Sequence, residues 1–278
     1  MSTGKRRGPW VQGRNWAADA GDGSIHDDAT AERLGFRGGT VPGDVHANQF
    51  VPPVLEHFGD AWWHQGFLCL DFRRATVDRE AVRVELDPAA ASAHVQMVNE
   101  SGEVVAQGSA GVGPLPPLEA QRARFAADAA YRILHRVSAD MDLGSYDLHA
   151  SSERQRERMA AGVISEPLST WTVGLAAGIP ACPATFVEFL WAPPMEALRP
   201  RVDPRAVGLF GAIDIAHRSG PFLLDRRYRV SSRVLGVGSS PKTELLWFHS
   251  EAADTDGTVV AEMRMMLRFM KASIEDDA

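Results

Sequence analysis

Along this chain, apolar and polar residues alternate in several short stretches, and that period predicts β-strands. The runs fall near residues 67–75, 81–86, 94–99 and 104–112, and again near 227–235, 243–250 and 259–270. A short helix is predicted ahead of each group, over 27–35 and over 184–191. The second of these reads ATFVEFLW, apolar on nearly every side, as suits a helix that a sheet wraps around. One helix followed by a run of strands is an α+β order, distinct from βαβ alternation.

The two groups look like copies. NESGEVVA at 99–106 resembles DTDGTVVA at 254–261, with Gly102 on Gly257, an offset of 155 residues. Carried back at that offset, 23–30 falls on 178–185 and 67–72 on 222–227, again with similar residues. A duplicated unit of one buried helix in a curved antiparallel sheet is the double hotdog architecture. The expected organisation is a frayed tail at 1–8 and an N-terminal half at 9–113. A Pro-rich connector holding an amphipathic helix follows at 114–152, then a degenerate C-terminal half at 153–278.

Composition narrows the function. The 278 residues carry a net charge of −7, which disfavours wrapping a nucleic acid or lying on an anionic membrane. Residues 172–195 hold the single charge Glu188 but also Pro180, Pro183, Pro193 and Pro194, which would break a spanning helix. Cys69 and Cys182 sit in apolar runs with no metal-ligand spacing, so a metal site is not expected and a reducing, cytoplasmic setting is. Nucleotide-binding glycine loops, a GxSxG elbow and an HExxH pair do not occur, and no cofactor is expected.

The stretch GDGSIHDDATAERLGFRGGTVPGDVHANQF, residues 21–50, carries the candidate chemistry. Its Ile25-His26, Asp28, Ala31, Gly35-Phe36, Gly38, Gly39 and Gly43 resemble the hotdog-helix motif of MaoC-like hydratases and dehydratases. The resemblance implies a double hotdog acting on acyl-CoA or acyl-carrier thioesters, with His26 as the base that activates water for a 2-enoyl substrate. Independently of it, a histidine just before a helix start meets the positive end of the dipole and stays neutral near pH 7. The family places an Asp five residues before its His. Here that position is Gly21 and the nearest carboxylate is Asp22, with Gly23-Ser24 in place of Asn-Pro.

Asp22 is therefore the expected partner of His26, and Gly38, Gly39 and Gly43 the expected backbone lining for a pantetheine arm. His46 and His217 are further pocket candidates, whereas Asp27 and Asp28 read as first-turn acids and Asp44 as a solvated residue. Trp62-Trp63 reads as a covering edge or a homodimer interface. At the offset of 155, His26 falls on Ala181 and Asp22 on Ala177, so one site per chain is expected. Two other readings stay open: a hotdog acyl-CoA thioesterase, and an inactive acyl-thioester-binding module.

Overall fold

The computed structural model describes residues 4–19, 23–89, 91–126, 130–165 and 167–275. The first half contains β1 (Arg6–Arg7), β2 (Val11–Gln12), α1 (Asp28–Arg33), α2 (Gly43–Phe58), α3 (Ala61–Gln65), β3 (Gly66–Phe72), β4 (Ala81–Asp87), β5 (Ser92–Asn99) and β6 (Val104–Val112). After the short α4 (Ala120–Ala123) come β7 (Asp142–Ala150), α5 (Ser152–Ala160), α6 (Pro183–Leu198), β8 (Gly208–His217), β9 (Arg226–Ser239), β10 (Thr243–Ala253) and β11 (Val259–Met270). The strands form one antiparallel sheet in the order β1-β4-β5-β6-β3-β8-β11-β10-β9-β7, with β2 also on β4. The α+β reading holds, and the two halves share that sheet through β3 and β8.

Each half buries one 16-residue helix, α2 or α6. Val45, Ala47, Phe50, Val51 and Val54 of α2, and Phe186, Val187 and Leu190 of α6, are almost fully enclosed. A curved sheet covers a helix on most sides, which is why neither helix shows a clean polar stripe.

The structure moves the first central helix. α1 is a six-residue turn capped by Asp27, whose Oδ2 accepts the Thr30 N–H at 2.8 Å, and the enclosed helix is α2. The sequence predicts a glycine loop at 38–43 with no helix directly after it, yet Asp44, His46, Asn48 and Gln49 are all buried in α2. The offset changes with it. Pro42 and Pro52-Pro53 match Pro183 and Pro193-Pro194 at an offset of 141, while the Gly102 and Gly257 turns keep 155. The difference accumulates in longer strands: β9 has 14 residues against seven in β4, and β10 has 11 against eight in β5. Ala181 thus corresponds to Thr40, and His26 to Pro167. In the connector, the described residues hold only α4 and β7 where an amphipathic helix was expected.

The seam between β3 and β8 runs from Phe67 opposite Ala216 to Asp71 opposite Ala212. Asp214 lies in it with no solvent exposure. Arg122 of α4 bonds both Asp214 oxygens at 2.7 and 2.6 Å and reaches Asp71 across the seam at 3.0 Å. Arg264 on β11 adds a bond to Asp214 Oδ2 at 3.1 Å. Removing the carboxylate strips the buried Arg264 of its anion and leaves Arg122 with Asp71 alone. We predict that Asp214→Ala lowers unfolding free energy in urea by about 3–5 kcal/mol. Breaking the exposed Arg229–Asp147 pair with Arg229→Ala should cost under about 1 kcal/mol.

Candidate active site

His26 is held by backbone on both sides. Ile25, buried with Ala31 and Val207, anchors the segment, and its carbonyl accepts the Thr40 N–H at 3.1 Å. The Thr40 carbonyl lies 2.7 Å from His26 Nδ1. A carbonyl only accepts, so Nδ1 carries the proton and Nε2 keeps its lone pair. Burial pulls the imidazole below its ordinary pKa of 6.5, partly offset by the Thr40 carbonyl and the charge of Asp44. The ring is consequently neutral at pH 7.

Gly39 makes this packing possible. A Cβ there would stand 2.2 Å from the His26 carbonyl oxygen and 2.8 Å from Asn15 Nδ2, which itself donates to that oxygen. The Gly39 N–H donates to Asp28 Oδ1 at 2.7 Å, so Asp28 braces the loop as well as opening α1.

His26 lines a cleft of about 1200 Å³ between the halves, together with Thr40, Gly43, Asp44, Arg158 and Glu188. Its far wall is apolar, built by Trp191, Met195, Phe210 and Leu267. Arg158 of α5 spans the cleft floor. It bonds Asp44 Oδ2 on one side and Glu188 Oε2 at 2.6 Å on the other, and Arg154 holds the second Glu188 oxygen at 2.7 Å. The Arg158 and Asp44 side chains are only 5% and 7% exposed.

The two central helices begin differently. α2 opens at Gly43 with no side-chain cap; the Val45 N–H turns back to the Pro42 carbonyl at 3.1 Å, while the N–H groups of Gly43 and Asp44 precede the first intrahelical acceptors. A Cβ at Gly43 would meet the Phe72 ring at 2.7 Å, so glycine lets that ring close over the helix start. At α6 the equivalent amide, Ala184 N–H, is bonded to Asn48 Oδ1 at 2.9 Å, and Cys182 N–H to Gln155 Oε1 at 2.8 Å. One helix start is open and the other is filled.

Of the residues singled out by sequence, His26 and Gly43 meet in the cleft. Asp22 lies outside the described residues. Gly39 sits behind His26, and Gly38 lines a separate groove with Arg37 and Arg74. His46 borders the cleft but has both ring nitrogens engaged, by Gln49 Oε1 at 2.8 Å and Thr76 Oγ1 at 2.7 Å. His217 is remote from the cleft, enclosed by the rings of Trp62, Trp63 and Phe186. Trp62 and Trp63 are 1% exposed and belong to the core, so they offer no surface to a second chain. Sequence reasoning missed Arg158 and the burial of Asp44, which only the approach of α5 to α2 explains. The isolated charge of Glu188 on an apolar helix was the one available signal.

No protein-family model matches the chain, and no curated protein matches it. Solved structures do. A MaoC-like dehydratase superposes with a TM-score of 0.58 over 96% of this chain and 98% of that one, at 12% identity. A MaoC domain protein dehydratase from Chloroflexus aurantiacus J-10-fl gives 0.62 over 98% and 96%, at 11% identity. A conserved protein of Mycobacterium tuberculosis, described as having a double hotdog fold, gives 0.62 over 97% of each chain, at 12% identity. The chain is a double hotdog. In this double hotdog, no helix among the described residues is long and apolar enough to cross a membrane.

Burial, with the neighbouring His64, pushes the His217 imidazole down to about 3. Between about pH 6.5 and that value the unfolded chain binds a proton that the folded chain does not, so stability falls as pH falls through this window. Asn at 217 keeps an acceptor for the Phe222 N–H, which now reaches His217 Nδ1 at 3.3 Å. His217→Asn should therefore flatten the acid limb of denaturant stability by about 1.4 kcal/mol per pH unit. An unchanged slope would place the imidazole's titration elsewhere.

Proposed function

We propose that this double hotdog is an acyl-thioester hydratase/dehydratase acting on 2-enoyl and 3-hydroxyacyl thioesters. The observation that carries the reading is a neutral histidine whose Nδ1–H is fixed on a carbonyl, beside an uncapped helix start in a cleft with an apolar wall. Hydration needs a base for water, a proton for C2 and a donor for the developing enolate oxygen. His26 Nε2 takes a proton as the water oxygen bonds to C3. The C2=C3 electron pair moves toward the thioester, whose oxygen accepts N–H bonds at the start of α2, with Gly43 nearest the cleft. The imidazolium then gives its proton to C2, and water has been added across the double bond. Dehydration runs the same steps backwards. The apolar wall from α6, β8 and β11 would receive the acyl chain, and CoA or a carrier protein would deliver it.

The filled start of α6 supports one site per chain. With Ala184 N–H bonded to Asn48, the second half has no free amide where the first has Gly43, and the position equivalent to His26 is Pro167.

His26→Ala should fold normally and lose about 10²–10⁴-fold in hydration rate, the range for removing a general base. The assay is loss of enoyl-thioester absorbance with crotonyl-CoA and a longer 2-enoyl-CoA. Retained turnover in the variant would sink the assignment. CoA release from a saturated acyl-CoA, with the enoyl band unchanged, would point to hydrolysis at this cleft, and binding without either reaction to a non-catalytic module.

A further inference from the structure

We propose that Asp44 is the positioning carboxylate of the site: clamped by Arg158 from the C-terminal half, it faces the imidazolium that forms when His26 takes the proton of water. The inference deepens the hydratase reading and rests on it for the source of that proton. Its test does not depend on turnover.

Geometry brings the two groups together. The carbonyl that fixes His26 belongs to Thr40, and Asp44 follows four residues later in the first turn of α2. Both side chains line the cleft. Only one oxygen of Asp44 is held, Oδ2 on Arg158, while Oδ1 is buried with no hydrogen-bond partner among the described residues. A salt bridge needed only for folding would satisfy the whole carboxylate, because an orphaned buried oxygen carries a desolvation cost. Left half-satisfied in a desolvated cleft, the carboxylate projects negative potential onto neighbouring groups, and its charge does act on His26.

The groups around the cleft decide whether that field survives. α2 contributes Asp44 and the neutral His46, α5 contributes Arg154 and Arg158, and α6 contributes Glu188. Arg73, Arg74, Arg199, Lys242 and Arg268 also line it, so Asp44 and Glu188 are the acids among the lining residues. Glu188 is consumed by the two arginines, one on each oxygen. Arg158 in turn is shared between two carboxylates, so it neutralises Asp44 only in part. Asp44 is thus the anion left to balance a positive charge on His26. The balance closes: the proton that water loses sits on Nε2 opposite a fixed anion, then moves to C2.

The deciding measurement is the titration of the His26 imidazole by NMR, assigned with His26→Gln, in wild type and Asp44→Asn. Asn keeps an oxygen for Arg158 and removes the charge. The His26 midpoint is expected to fall by about 1 pH unit in Asp44→Asn. In enzyme assays, the acid limb of kcat/KM should move down with it and the plateau should drop at least tenfold. A structural role alone would lower stability without moving either midpoint. An unmoved midpoint overturns the proposal, as does Asp22→Asn moving it in place of Asp44→Asn. Should Asp44→Asn fail to fold, Asp44→Asn/Arg158→Met, which strands no cation opposite an amide, is read in the same way. Collapse of both variants would assign Asp44 to folding alone and overturn the proposal. Absence of enoyl-CoA hydration by wild type would count against the hydratase reading and leave the titration result standing.

Discussion

Arg158 is the point at which the two halves become one site. Its guanidinium is almost wholly buried and bonded to Asp44 on one central helix and Glu188 on the other. A cation taken out of water is tolerated only with close anionic partners, so both carboxylates must be present and both helices must hold their spacing. Fork geometry suits arginine to this task, since one planar group can serve two carboxylates at once, whereas a lysine offers a single point charge. Trp16 stacks its ring 5.1 Å from the same guanidinium and closes it from outside. The floor of the cleft is therefore an inter-half ion chain, and the shared β3–β8 seam brings its two ends within reach.

Duplication explains both the symmetry and its loss. Each half supplies a helix entered through a proline and carrying a Pro-Pro pair near its end, at an offset of 141. In the first half that entry is followed by Gly43 and left open. In the second it is followed by Ala184, whose amide is taken by Asn48 of the other helix. The contact that docks α6 on α2 thus also fills the anion-binding end of α6. The second half keeps its sheet and contributes an apolar wall to the cleft.

Much of the sheet was legible: β9 alternates between buried and outward positions, and β6 and β11, carried by apolar and β-branched runs after a Gly turn, fall at their expected residues. The first central helix was not legible. Its polar residues find partners far along the chain: His46 bonds Thr76 in its own half, while Gln49 reaches Ser165 and Asn48 reaches Ala184 in the other. Nothing local in residues 43–50 distinguishes such partners from water. The same limit hid Asp44, a first-turn acid whose partner lies 114 residues away. His26 and Gly43 were visible from their local setting, a histidine at a helix start and a glycine closing a Gly-rich run, although the contact that requires glycine at 43 is with the distant Phe72 ring. His217 misled because a histidine flanked by apolar residues reads alike whether it faces a cavity or three aromatic rings.

The central claim is chemical: His26 presents a bare Nε2 to the cleft because Nδ1–H is committed to the Thr40 carbonyl. Long-range ¹H–¹⁵N correlation spectra of the uniformly labelled protein at pH 7 report that tautomer directly. A protonated Nδ1 with an unprotonated Nε2 is the predicted pattern. A protonated Nε2, or a doubly protonated ring at that pH, would contradict the account, because His26 could then not accept a proton from water.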